Sequence, residues 1–381
     1  MTYSNPDSEK TSFLSKLFKI ILSPFNNLRT NSSKQKENTE FLETYEINSI
    51  SDLPRILQKL GEPQKGYTRF FRGHGNEGWQ ILPSIYRAEH LIENEDKIIK
   101  DALTYCPDDF LPSDTLFEKL VKLQHYGYST RLLDLTTNAL VALYFSAWNE
   151  QHYDKDGELI ILDIPDEQIK YGDSDTISIL SAISLQSYLF NYSQLQEKSE
   201  KNAKGSVDRK ILLSIKEFLN LEDLHKALLK NKPEVGTLLS HYMNGMEVHY
   251  EDEFISIFNA EKEIISLLHT IRTDKPHFRP VINPSDFNRV LCVRAKLNNQ
   301  RISRQQGCFL LFGIKGSKTK AAVIPDEWQR LASNRQKILV KAESKATIMQ
   351  ELESFGISKR TLFPELEAQA KEIMDYYKGQ K

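Results

Sequence analysis

The chain has 381 residues, with 52 acidic against 50 basic side chains for a formal net charge of -2, and 40% of it is hydrophobic. That balance excludes a global basic field of the kind that draws nucleic acid, though not a local patch, and the length allows a sizeable core in one large domain or two moderate ones. No run of about 18 apolar residues could span a membrane, and three widely spaced cysteines (Cys106, Cys292, Cys308) fit reduced core thiols in the cytoplasm rather than a disulfide framework or a zinc cluster.

At the N-terminus, Phe13, Leu14, Leu17, Phe18, Ile20 and Ile21 alternate with Lys16 and Lys19, a pattern for a short amphipathic helix. Residues 30–40, TNSSKQKENTE, read as a linker, so 1–40 form a mobile segment and the folded body runs over 41–381. A helix is expected from Ser51-Asp52 to Gly61, a strand over Tyr67 to Phe71, and helices over 88–105 and 114–126, the second capped by Ser113 and closed by Gly127. Residues 129–137 read as a polar turn, followed by an apolar helix from Asn138 to Asn149 with Thr137 as its cap, and by a buried strand at 157–165. A helical insertion is expected over about 174–272, with 196–210 as an exposed loop. Strands are then expected at 288–295, 307–313, 320–325 and 336–342, and helices at 344–355 and 364–377. Strands at the front and back with helices between predict an α+β fold: a split mixed or antiparallel sheet flanked by helices, not an alternating parallel series.

Two stretches look least like plain packing. RFFRGHG, residues 69–75, is an aromatic strand that exits through Arg72, with Gly73 and Gly75 leaving room for a ligand beside it. LQHYGYSTRLLDLTTNALVALYF, residues 123–145, holds Ser129, Thr130, Arg131, Asp134, Thr136 and Thr137 between two helices, where buried polar groups need fixed partners. Arg131 and Asp134 either pair with each other or cap the helix at 138, or else Thr130 and Arg131 stand at the mouth of a cleft facing Arg72. His74 is a strand-exit histidine, and His125 sits at a helix end where an imidazolium complements the dipole. His241 and His249 are too sparse for a metal site, and neither a P-loop nor a Gly-x-Ser-x-Gly elbow occurs.

FFRGHG…LPSIYR, LQHYGYSTRLLDLTTNALVALYF, NQRISRQQGCFLLF and TLFPELEAQAKEI resemble, in order, the signature blocks of the FRG-domain family, named for its (Phe/Tyr)-Arg-Gly motif. The resemblance implies conserved roles for Arg72, Gly73, Gln124, His125, Gly127, Thr130, Arg131, Asp134, Thr136, Arg301, Gln306, Gly307 and Phe309 over a body spanning about 41–378. Leu135 and Tyr128-Ser129 depart from the usual pattern and leave the polar set intact. The order FFRG then STRLLDLTTNALVALYF is also similar to arginine-type ADP-ribosyltransferases, in which an arginine holds the NAD pyrophosphate ahead of a Ser-Thr-Ser strand. Those enzymes need a strand-borne glutamate, and the corresponding late strands here carry no acid.

The resemblances together imply an arginine-lined pocket for a nucleotide, with NAD as substrate or ligand, in an NAD-consuming or ADP-ribosylating effector of bacterial defence. Arg72, Thr130, Asp134 and Gln306 are then the catalytic candidates. Gly73, His74, Gln124, His125, Tyr126, Arg131 and Arg301 are the ligand-binding ones, and no metal is expected. This reading also allows a protein or nucleic-acid target as a further partner. Two alternatives stand beside it: a ligand-sensing module without turnover, and a nucleic-acid-binding or nuclease-like protein using Arg72, Arg131, Arg301 and Arg304. Saturable binding of unchanged nucleotide would mark the first, steep salt dependence the second.

Overall fold

The computed structural model describes residues 45–218, 250–296, 299–331 and 336–378. The N-terminal amphipathic segment, the linker at 30–40, His241 and His249 lie outside them. Strands β1 (Tyr45–Ile47), β2 (Tyr67–His74), β3 (Leu132–Thr136), β4 (Gly157–Pro165), β5 (Ile169–Tyr171), β6 (Val290–Arg294), β7 (Gly307–Phe312) and β8 (Ile338–Val340) make one open sheet. Its order is β1-β8-β4-β2-β3-β7-β6-β5. The outer pairs β1–β8 and β5–β6 are parallel and the inner neighbours antiparallel, so the sheet is mixed.

Helices α1 (Asp52–Leu60), α2 (Glu89–Glu93), α3 (Glu95–Tyr105), α4 (Leu116–His125), α5 (Ala139–Ala147), α6 (Asp175–Ala182), α7 (Tyr192–Phe218) and α8 (Lys262–Asp274) precede or interrupt the late strands. They are followed by α9 (Gln300–Arg304), α10 (Lys345–Ser354), α11 (Lys359–Leu362) and α12 (Leu366–Lys378). Helices flank an eight-stranded mixed sheet, which is the α+β class that the segregated pattern predicts.

Alternation along the strands sorts the core. Phe71, Leu159 and Ile161 join Val141, Leu143 and Tyr144 of α5 on one face. Phe70, Leu133, Leu135, Ile160 and Leu162 face Ile324 and Trp328 on the other. A third cluster joins Leu132, Phe309 and Leu311 to Leu120 and Leu123 of α4 and to the helices after β5. The sheet is pinched at its centre. β2 pairs with β4 along all of Tyr67–His74 and β3 with β7 along all of Leu132–Thr136, yet β2 and β3 share the single register pair Phe71↔Thr136.

Several local expectations change. Residues 129–137 hold a strand, β3, because Leu132, Leu133 and Leu135 bury on both faces and mask the period-2 signal. Helix α5 is capped by Asn138, whose side chain accepts from the Leu140 N–H, not by Thr137. Thr115, not Ser113, caps α4, in a reciprocal capping box with Glu118. Gly127 does end that helix, at φ 88°. Residues 196–210 are not a loop but part of α7. That polar helix gains Glu197–Lys201 and Gln196–Glu200 pairs one turn apart and buries Ser199 and Ala203. Residues 320–325 contribute one isolated bridge, Ala321 to Ile314, in place of a strand.

Candidate functional site

Arg72 lies next to the pinch between β2 and β3. Its Nε donates to Nε2 of His74 at 2.9 Å and its Nη1 to the carbonyl oxygen of Asp134 at 2.7 Å. The guanidinium thus occupies a rung where the ladder has opened. Both acceptors are neutral, and Arg72 makes no ion pair among the described residues. Burial pulls its pKa down to about 10, against the attraction of the Asp134 carboxylate and helped by repulsion from Arg87.

His74 is fully buried. Burial, then the charges of Arg72, Arg87 and Lys337, hold its imidazole down to a pKa of about 3, so it is neutral at pH 7. A neutral imidazole that accepts at Nε2 carries its proton at Nδ1. That N–H faces the Trp79 backbone without a hydrogen bond of normal geometry. The His74 ring meets the Trp79 indole edge-on at 5.9 Å, and Trp79 meets His152 at 4.9 Å.

Gly73 has a different reason from the one its position suggests. A Cβ there would come within 2.0 Å of the Ala142 carbonyl oxygen and 2.6 Å of the Ser146 nitrogen. Gly157 on β4 is closed in the same way, at 2.4 Å from the Ser146 carbonyl oxygen. The two glycines let α5 lie directly on the sheet; Gly73 faces a helix backbone and leaves no room there for a ligand.

Thr130 and Arg131 do not face Arg72 across a cleft. Both are fully buried. The Thr130 hydroxyl donates to Oε1 of Gln124 and accepts from the Leu132 N–H, tying the end of α4 to the start of β3. Arg131 pairs with Glu95 rather than with Asp134. Its Nε–Oε1 contact is 2.9 Å, its Nη2 bonds Oε2, and its Nη1 donates to the Phe312 carbonyl. Lys318, also fully buried, stands 3.2 Å from the same carboxylate and donates to the carbonyls of Ser184 and Gln186. Burial works against the Arg131 charge, but Glu95 and Tyr86 more than offset it and raise its pKa; burial lowers that of Lys318. This ion triad locks α3, β3 and the segment after β7 together, a structural task that satisfies the polar residues of the STR turn.

His125 and Arg301 converge elsewhere, around a cavity of about 260 Å³ lined also by Asn299, Gln300, Pro364 and Glu365. Asn299 caps α9 by accepting from the Arg301 and Ile302 N–H groups. The Arg301 guanidinium lies 4.6 Å over the Phe363 ring. His125 Nε2 is 3.2 Å from Glu365 Oε1, within ion-pair range but not aligned as a hydrogen bond. Burial, then Arg301, lowers the His125 pKa against Glu365.

Gln306 is exposed and holds a left-handed backbone at φ 47°, its carbonyl accepting from the Thr137 N–H and its side chain 3.4 Å from the Thr137 hydroxyl. Tyr126 is exposed beside His125. Asp134 is exposed on β3, and its carboxylate makes no ion pair among the described residues. So Arg72, Gly73, His74 and the Asp134 backbone come together at the pinch, while His125, Tyr126 and Arg301 gather at the end of α4. Thr130, Arg131 and Gln124 form the frame. Among the described residues no group of His, Cys, Asp or Glu is arranged to hold a metal ion.

Sequence reasoning passed over Trp79, Arg87, Glu95 and Lys318. Arg87 stood inside the LPSIYR block, where its neighbours Ile85 and Tyr86 turn inward and leave it exposed. Glu95 and Lys318 carried no local signal.

Residues 68–155 match the family model of the FRG domain, so the chain contains an FRG domain. The match takes in β2, α4, β3 and α5, with Arg72, Arg87, the Arg131–Glu95 pair and Asp134, and stops short of Arg301 and Gln306. No curated protein and no solved structure matches the chain.

Proposed function

We propose that this chain binds a phosphate-bearing ligand of the nucleotide class, NAD among them, with Arg72 as the residue that grips the anion. The observation that carries this reading is the state of Arg72: half-buried, bonded only to a neutral imidazole and a backbone carbonyl. A guanidinium drawn out of water without a counter-ion is costly. Three of its five N–H donors have no acceptor among the described residues. That is a fork prepared for a phosphate, whose charge-assisted bonds are the strong ones. The binding is without turnover in this reading. β6 and β7 carry no carboxylate, and Thr130 and Arg131 are consumed by the frame.

A second reading, NAD cleavage or ADP-ribosyl transfer, has one observation in its favour. The unpaired Asp134 carboxylate is borne by the residue whose carbonyl holds Arg72. Calorimetric titration of the full chain with NAD, ADP-ribose and AMP, followed by chromatography of the recovered ligand, separates the two. Binding is expected to be saturable, the ligand unchanged, and Arg72→Ala to weaken affinity at least about tenfold, the value of a lost charged hydrogen bond. Wild-type protein that binds none of the three ligands would refute the proposal, as would an Arg72→Ala protein that binds like wild type. Release of nicotinamide that disappears in Asp134→Asn would replace it with the second reading.

A further inference from the structure

Resting on Arg72 as the anion grip, we infer that Arg87 is the second arm of the same site, and that the ligand it selects carries two linked phosphates, a diphosphate rather than a monophosphate. A continuous set of contacts joins the two arginines. Arg72 bonds His74 at 2.9 Å, His74 meets Trp79 at 5.9 Å, and the Arg87 guanidinium lies 6.0 Å over the Trp79 ring. The indole gives Arg87 a flat support that pre-orients its planar fork.

The support itself is fixed. Lys345, buried, donates to the carbonyls of Gly75 at 2.8 Å and His152 at 2.7 Å. Lys337 donates to the Glu77 carbonyl at 2.7 Å, and the Glu77 N–H donates to Asp156 at 2.8 Å. The loop from Gly75 to Trp79 is therefore tied by its backbone to β8, α10 and the turn before β4. Trp79 keeps 37% of its surface exposed on a rigid base.

Most carboxylates nearby are already engaged, which leaves neither arginine with an ion pair among the described residues. Glu77 and Glu158 face Lys337 at 3.5 and 3.8 Å, and Glu95 holds Arg131 and Lys318. Arg87 makes no ion pair among the described residues, and its charge acts on both Arg72 and His74. Asp134 is the carboxylate that bears on Arg72, and it stays exposed. Two guanidinium groups that repel each other across a neutral histidine are relieved by an anion meeting both, and a diphosphate carries the charge to do so with one phosphate for each fork. A single phosphate would engage Arg72 alone.

The test uses inorganic pyrophosphate and inorganic phosphate, each titrated calorimetrically into the full chain and its variants at fixed ionic strength. Wild type is expected to prefer pyrophosphate at least tenfold. Arg87→Gln, at an exposed position, should remove that preference by weakening pyrophosphate about tenfold while phosphate binding changes less than twofold. Arg87→Lys should restore only part of it, because an ammonium keeps the charge and loses the fork. If Arg72→Ala abolishes binding of both anions while Arg87→Gln leaves their ratio untouched, this inference is overturned and the grip at Arg72 stands. If Arg72→Ala leaves both unchanged, the proposal beneath it falls first.

Discussion

The pKa of His74 makes the stability of the fold depend on pH in a way that a single substitution can isolate. In the folded chain the imidazole is held at about 3, first by burial and then by Arg72, Arg87 and Lys337. Unfolded, it returns to about 6.5. Between those values the unfolded chain binds a proton that the folded chain refuses, so acid favours unfolding. The contribution is fully present above about pH 6.5 and is lost progressively as pH falls towards 3. From pH 7 to pH 5 this one group costs about 2 kcal/mol, from roughly one and a half pKa units at about 1.4 kcal/mol each.

His74→Gln keeps an acceptor for Arg72 and removes the titration. Urea unfolding of wild type and variant at pH 7 and pH 5 should give a fall in stability about 2 kcal/mol smaller in the variant. Other titrating groups cancel in the comparison because both chains carry them. Equal falls in the two proteins would refute the assignment of a buried neutral imidazole. So would a wild-type His74 resonance that titrates near pH 6.5.

Two substitutions test the frame around the site. Glu95→Gln leaves Arg131 and Lys318 buried without their shared anion and is expected to cost about 3–5 kcal/mol in chemical denaturation; a loss below about 1 kcal/mol would show that the triad is not closed to water. Gly73→Ala puts a methyl group within 2.0 Å of the α5 backbone and should destabilise the fold by roughly 3 kcal/mol, where Gly75→Ala, whose nearest neighbour would be 3.7 Å away, should cost well under half as much, and a reversal of that order would overturn the packing account of Gly73.

The α+β frame was legible because it rests on local signals. Branched apolar runs such as GELIILDIP can be little else than buried strands, and the order of strands and helices in the chain excludes an alternating parallel α/β sheet. The polar helix at 196–210 and the strand at 132–136 were not legible. The first depends on pairs one turn apart and on two small buried residues. The second has leucines on both faces of a central strand, so its alternation is hidden. Arg72 was visible as an arginine leaving an aromatic strand. The partner of Arg131 was not, since Glu95 lies 36 residues away on an amphipathic helix where it looks like any solvated acid. Lys318, beyond β7, is more remote still.

The two arginines flagged in one breath by the sequence are separated by the company they keep. Arg131 has a carboxylate, complete burial and a raised pKa, the marks of a charge whose needs the fold itself has met. Arg72 has a neutral histidine, a carbonyl oxygen, the attraction of an exposed Asp134 and a pKa lowered to about 10, the marks of a charge the fold has answered only in part. The chain could have supplied an acid to Arg72 from β4, where Glu158 stands in register with His74, but that acid faces Lys337 instead. Leaving a half-buried arginine without an ion pair costs stability, and the anion of the proposed function would offset that cost. The same arithmetic explains why His74 must stay neutral. An imidazolium there would give up its acceptor lone pair at Nε2, release Arg72 from its seat and set two cations 2.9 Å apart. A neutral His74 is therefore one of the two acceptors, with the Asp134 carbonyl, that seat the Arg72 guanidinium.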